Sequence, residues 1–130
     1  YMPLANHKGL AEYFRRNAED LVGPEHYVVQ GHRTGSTDMG DLSQIMPTVQ
    51  GNMSGASGSA HGPDYFITDH RFAYLGQAKA LATTAIDLLY GDAAGAQEVL
   101  RDYKAPMTRA EYLAFQRGIN KTEVYDGAAG

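Results

Sequence analysis

His61 sits in the run Gly58-Ser59-Ala60-His61-Gly62-Pro63-Asp64-Tyr65, with no apolar periodicity around it to mark a core position. Glycines on both sides let the backbone turn sharply and let a bulky object approach the imidazole. Neutral imidazole is the commonest protein ligand for zinc, and Asp64 or Asp69 is placed to orient its second nitrogen. A surface-loop histidine accounts for the same spacing equally well. Upstream, His32-Arg33-Thr34-Gly35-Ser36-Thr37-Asp38 reads as a loop entering a helix. The free amides of a helix N-terminus, with the Ser36 and Thr37 hydroxyls, suit a carboxylate or phosphate. Ser36, Thr37 and Asp38 are also preferred capping residues, which is the simpler reading from spacing alone. No Gly-Lys-Ser/Thr follows, so this is not a phosphate-binding loop. His32 and Arg33 suit a substrate carboxylate, and an ion pair of Arg33 with an acidic neighbour is the alternative.

The remaining titratable groups offer less. His7, His26 and His70 read as structural, and no His-x-x-x-His pair sets two ligands on one helical face. Asp38 and Asp41 lie one turn apart and read as solvated charge rather than as a catalytic pair. No nucleophile elbow or serine triad is present. With no cysteine, any transition metal must be held by histidine and carboxylate. One histidine cannot hold a catalytic metal, so these residues suggest only part of a site.

The elements that must position these residues follow from periodicity and punctuation. Leu10, Tyr13, Phe14, Ala18 and Leu21 predict a helix over 8–22, capped by Asn6 and stopped by Gly23-Pro24. Tyr27-Val28-Val29 reads as a strand, 38–46 as a short helix closed by Pro47, and 48–53 as a second strand. The segment 51–62 is as rich in glycine and serine as a flexible linker. Tyr65-Phe66-Ile67 is extended, and Thr68 or Asp69 caps the longest helix, reaching Tyr90. Its predicted buried stripe is Phe72, Leu75, Ala78, Leu81, Ala82, Ala85, Ile86 and Leu89, and its many alanines imply close packing on a sheet. Asp92 opens a further helix, and Thr108 with Glu111 forms a capping box for the last one. From Asn120 onward the chain is polar and glycine-rich, reading as a flexible tail over 120–130.

With 130 residues, the chain is long enough for one domain with a core. Its formal charge of −4 and lack of a basic cluster argue against nucleic acid. No segment has the uninterrupted apolar length of a membrane span, and no signal peptide opens the chain. Absence of cysteine is compatible with the cytoplasm. Tyr1-Met2-Pro3 reads as the start of an excerpt from a longer polypeptide. The fold class expected is α/β, helix-rich with a few short strands, forming an incomplete layer.

A longer pattern joins these pieces. Pro3-Leu4 and Leu10-Ala11 are followed by Gly31 to Ser43 (Gly-His-Arg-Thr-Gly-Ser-Thr-Asp-Met-Gly-Asp-Leu-Ser) and by Met46-Pro47. The pattern continues through Gly58 to Tyr65 and Lys79-Ala80-Leu81-Ala82 into Asp87-Leu88-Leu89. From Tyr1 to about Tyr112 the chain resembles the zinc-dependent amidohydrolases related to aminoacylase and carboxypeptidase G2, nearest the aminobenzoyl-glutamate hydrolase type. The resemblance implies that 1–119 is the C-terminal segment of a three-layer α/β/α catalytic domain, interrupted in the whole enzyme by a lid domain that also makes a homodimer. It implies two zinc ions, replaceable by manganese or cobalt, most of whose ligands and whose glutamate general base lie in a missing N-terminal catalytic segment. His61 matches the last metal ligand, while His32, Arg33, Ser36, Thr37 and Asp38 would help seat an N-acyl amino acid or peptide-like substrate. Tyr65-Phe66 departs from the pattern, standing where many relatives carry a glutamate. A metal-free binding or structural module on the same scaffold, with an anion-binding loop–helix entrance, is the competing reading.

Overall fold

The computed structural model describes residues 1–31, 34–101 and 103–128. It is rich in helix and carries one two-stranded antiparallel sheet among those residues. Helix α1 spans Lys8–Val22, as its apolar spacing predicts, but its cap differs. His7 Nδ1 accepts the Leu10 amide at 3.2 Å, satisfying one of the amides a helix leaves open at its start. Asn6 is used elsewhere: its side-chain oxygen accepts the Gln50 amide at 3.0 Å. On the outer face of α1, Arg15 pairs with both Glu12 and Glu19, one turn to either side. These carboxylates raise the guanidinium's pKa further, and Arg15 in turn holds Glu12 below the usual carboxylate range. Such exposed pairs add little to stability.

Helix α2 is one short turn, Met39–Ser43, and the β1 and β2 strands are Ala56–Ser57 and Phe66–Ile67. Ala56 pairs with Ile67 and Ser57 with Phe66, so the glycine-rich segment is a hairpin rather than a linker. Asp69 Oδ1 then accepts the Phe72 amide at 3.0 Å and starts a π-helical turn over Arg71–Gly76. This runs into α3, Gln77–Arg101, which is broken at Tyr90–Ala93, where Gly91, Asp92 and Ala93 all have positive φ. The break falls where the sequence separates two helices. Helix α4, Arg109–Ile119, has the expected capping box: Thr108 Oγ1 accepts the Glu111 amide at 3.2 Å, and Glu111 accepts the Thr108 amide at 2.7 Å.

Two predicted strands do not form. Tyr27 is extended, but Val28 and Val29 join no ladder and make no hydrogen bond among the described residues. The segment 48–53 is also outside any sheet; side chains bind its backbone instead. Gln77 does so twice, its Oε1 accepting the Met53 amide at 2.8 Å and its Nε2 donating to the Gly51 carbonyl at 3.2 Å. A strand is defined by its neighbours, and here a glutamine amide occupies part of a neighbour's place.

The core lies where α1 crosses α3. Phe14, Ala18 and Ala80 are buried together, with Tyr27, Val49 and Met53 packed around them. Two polar links tie the same helices: Tyr13 Oη donates to Glu98 at 2.8 Å, and Asn17 Nδ2 donates to Asp87 at 2.7 Å. The face of α3 used here carries Ala80 and Thr84, whose small side chains allow close approach, and Thr84 Oγ1 satisfies itself on the Ala80 carbonyl at 2.7 Å. The apolar stripe predicted to be buried is on the other side and is bare. Leu75, Leu81, Ile86 and Leu89 are 51–68% exposed, and Phe72, Ala78, Ala82 and Ala85 are also exposed. The reason is geometric: α1 can cover only one side of α3, and among the described residues no sheet lies on the other. No helix among the described residues is long and apolar enough to cross a membrane.

Candidate functional site

The loop carrying His61 is a tight one. Gly62 N–H donates to the Ser59 carbonyl at 2.7 Å, and Tyr65 N–H donates to the Gly62 carbonyl at 3.3 Å. Asp64 closes the loop by accepting the Ser59 amide at 3.3 Å. At Gly58 φ is +92°, and a Cβ there would press into the Asp64–Tyr65 backbone, 2.6 Å from the Asp64 carbonyl carbon. Only glycine fits this corner without displacing main chain. His61 itself is left-handed, with φ +67°, a conformation uncommon for residues other than glycine. It is exposed, and its ring makes no hydrogen bond, ion pair or ring contact among the described residues.

The carboxylates expected to orient His61 are engaged elsewhere. Asp64 holds the Ser59 amide and Asp69 holds the Phe72 amide. Both acceptors serve nearby backbone because each lies a few residues from an open N–H, at a turn or a helix start. No three His, Cys, Asp or Glu side chains come together to hold a metal among the described residues. Alone, the His61 imidazole could give a metal only one ligand.

At the entrance to α2, Thr37 does what a cap does: its Oγ1 accepts the Met39 amide at 3.3 Å, and its carbonyl accepts the Gly40 amide at 2.9 Å. Asp38 is exposed, within 3.4 Å of the Thr37 hydroxyl, and makes no side-chain cap bond of its own. Ser36 is exposed. His32 and Arg33 lie outside the described residues. No hydrogen bond, ion pair or ring contact joins Ser36, Thr37 or Asp38 to His61.

The second half of the same motif has a job that spacing did not reveal. Asp41, read from sequence as solvated, accepts the Met2 amide at 2.9 Å. Buried Ser43 accepts the Ala5 amide at 3.1 Å and donates to the Gly40 carbonyl at 2.6 Å. Gln44 Nε2 donates to the Pro3 carbonyl at 3.0 Å, and the Gln44 carbonyl accepts the Met107 amide at 3.0 Å. Together these groups clamp the 2–5 segment and the start of α4 onto α2. The partners in the 2–5 segment lie about forty residues away in sequence and Met107 further still, so local pattern carried no sign of them.

The other described histidines are accounted for. His7 caps α1 and stands edge-on to Tyr103 at 5.4 Å between ring centroids. His26 is exposed beside Glu25 at 3.5 Å, and His70 lies 5.8 Å from the Tyr74 ring. The Tyr103 hydroxyl is buried without a partner among the described residues, and burial raises its pKa. It borders a cleft of about 300 Å³ shared with His7, Tyr13, Glu98 and Arg101, away from the His61 loop. Compared with known proteins, the chain matches no family, no curated protein and no solved structure.

Proposed function

We propose that this chain is the C-terminal segment of the three-layer catalytic domain of a dizinc amidohydrolase, and that His61 is one of its metal ligands. The observation that carries this reading is the His61 loop. A non-glycine residue held left-handed, with its imidazole exposed and unbonded, is the kind of locally strained conformation that clusters at functional sites. The long sequence pattern around it adds the family.

Zinc, when bound, supplies polarisation of the scissile carbonyl and a water of lowered pKa. His61's part is to donate a neutral imidazole and to hold it outward on a rigid corner. His32, Arg33, Ser36, Thr37 and Asp38 would seat an N-acyl amino acid or peptide substrate at the rim. In this reading the general base, the other ligands and the lid lie in further polypeptide, the whole enzyme is a cytoplasmic homodimer, and manganese or cobalt can replace zinc. In this reading the 130 residues taken alone should show no amidase activity.

The clamp of Asp41, Ser43 and Gln44 favours one competing reading, a purely structural module in which the motif serves packing alone. One experiment separates the two. In the polypeptide carrying the whole catalytic domain, His61→Ala should abolish most N-acyl amino acid hydrolysis and release one equivalent of tightly bound zinc. Full zinc content with unchanged activity would reject the ligand assignment and leave the structural module.

A further inference from the structure

We infer that Gln77 is a positioning residue: with Gly55 it holds the turn before α3 in its π-helical form, and so fixes the direction in which the His61 hairpin leaves α3. This rests on the reading of His61 as a metal ligand only for what the positioning serves.

The 51–55 segment lies along the π-helical turn and is bonded to it at both ends. At one end, the buried Gly55 carbonyl accepts the Thr68 amide at 2.9 Å, the Asp69 amide at 3.1 Å and the Thr68 hydroxyl at 3.3 Å. In mid-turn Gly55 is pressed on Ala73, where a Cβ on the glycine would lie 2.7 Å from the Ala73 nitrogen. Met53 covers Gly76, whose Cβ would lie 3.3 Å from the Met53 methyl carbon. At the far end the Gln77 side chain holds the Met53 amide and the Gly51 carbonyl. One short stretch therefore meets 68–69, then 73, then 76–77.

A straight α-helix does not present those positions in line. Residues four apart drift about 40° round the axis, so 69, 73 and 77 would spread over about 80°. A π-helical turn closes over more residues and takes that drift out. Such turns are rare and persist only where the surroundings hold them. Here the 51–55 segment does so, and Gln77 closes its far end. The consequence reaches His61 because the hairpin grows straight from this joint: Ala56 follows Gly55, and Ile67, its partner, precedes Thr68. Any rotation of the joint about α3 carries the hairpin and His61 with it. A site tolerates only about 10–20° of misdirection in its groups, far less than the drift the turn removes.

Residual dipolar couplings, measured by NMR on the chain, report the angle between the hairpin amides and those of α3. In Gln77→Ala the turn should relax towards α-helix and Met53 amide exchange should quicken at least tenfold. The hairpin should swing by at least about 30°, part of the drift released, while the α1 amides stay protected. Deleting Tyr74, an exposed residue of the turn, is the opposite test. It sets Asp69 and Gln77 two ordinary helical turns apart, so an α-helix should now keep both ends bonded and the hairpin direction within about 20°. An unchanged hairpin direction in Gln77→Ala would overturn the inference, as would a swing of about 100° on the deletion, the rotation of one helical residue. Should Gln77→Ala fail to fold, the deletion decides alone. Zinc affinity in the polypeptide carrying the whole catalytic domain separates this from the metal reading. Zinc lost in His61→Ala and bound at least tenfold more weakly in Gln77→Ala upholds both. Zinc lost in His61→Ala but held unchanged in Gln77→Ala overturns the positioning. Zinc indifferent to His61→Ala, with the hairpin swung in Gln77→Ala, rejects the metal assignment and leaves the control of the hairpin standing.

Discussion

Gly58→Ala is the most direct perturbation of the corner that holds His61 outward. The native φ of +92° is one that an alanine adopts only under strain, and the new Cβ would lie 2.6 Å from the Asp64 carbonyl carbon and 2.9 Å from Tyr65 Cα. Both neighbours are main chain, so no flexible side chain can yield. Backbone strain of this kind costs about 1–3 kcal/mol, and the loop relieves it by opening. At about 1.4 kcal/mol per tenfold, local opening becomes roughly 5- to 150-fold more frequent. Amide exchange read by NMR is the assay, at Gly62, which donates to Ser59, and at Thr68, which donates to Gly55 at 2.9 Å. Gly35→Ala is the control, because a Cβ there meets nothing within 4 Å and φ is not positive. Unchanged exchange at Gly62 and Thr68 in Gly58→Ala, matching Gly35→Ala, would refute the argument that glycine at this corner shapes the loop.

Two further outcomes test the frame around the site. A Cβ at Gly51 would meet the Phe14 ring, 2.5 Å from Cδ1, so Gly51→Ala should cost about 1–3 kcal/mol in urea denaturation and much less in a Phe14→Leu background. Strictly additive effects of the two substitutions would show that they do not touch. At α4, the Thr108 amide and hydroxyl hold Glu111 below the usual carboxylate range. A carboxylate depressed in the folded state stabilises above its unfolded pKa and loses that contribution as pH falls through the folded value. Helix content in α4, followed by backbone NMR shifts, should therefore fall on acidification below about pH 4.5, and Glu111→Gln should remove that dependence. Acid behaviour identical in Glu111→Gln and the unaltered chain would remove the capping carboxylate from the account.

What was legible in the sequence is what is decided locally. The bounds of α1, the break before Asp92, the Thr108–Glu111 capping box and the extended residues 66–67 all depend on neighbours within a few positions. Asn6 gave way to His7 as the α1 cap because Asn6 was needed by Gln50, a partner forty-four residues away. The glycines around His61 announced a sharp loop, and its left-handed corner follows from them. Asp64 and Asp69 could not be assigned from spacing, since carboxylates beside open amides are captured by backbone first.

By itself, then, the sequence determined the span of α1, the break within α3, the Thr108–Glu111 capping box of α4 and the glycine-framed corner at His61, because hydrogen bonds within a turn of chain fix those. Only the tertiary structure decided which side of α3 meets α1, that Asp41, Ser43 and Gln44 clamp the 2–5 segment, and that 27–29 and 48–53 remain outside any sheet. A strand and a buried helix face exist only in relation to what lies beside them, and that neighbour is set by packing across the chain rather than by the residues in the segment.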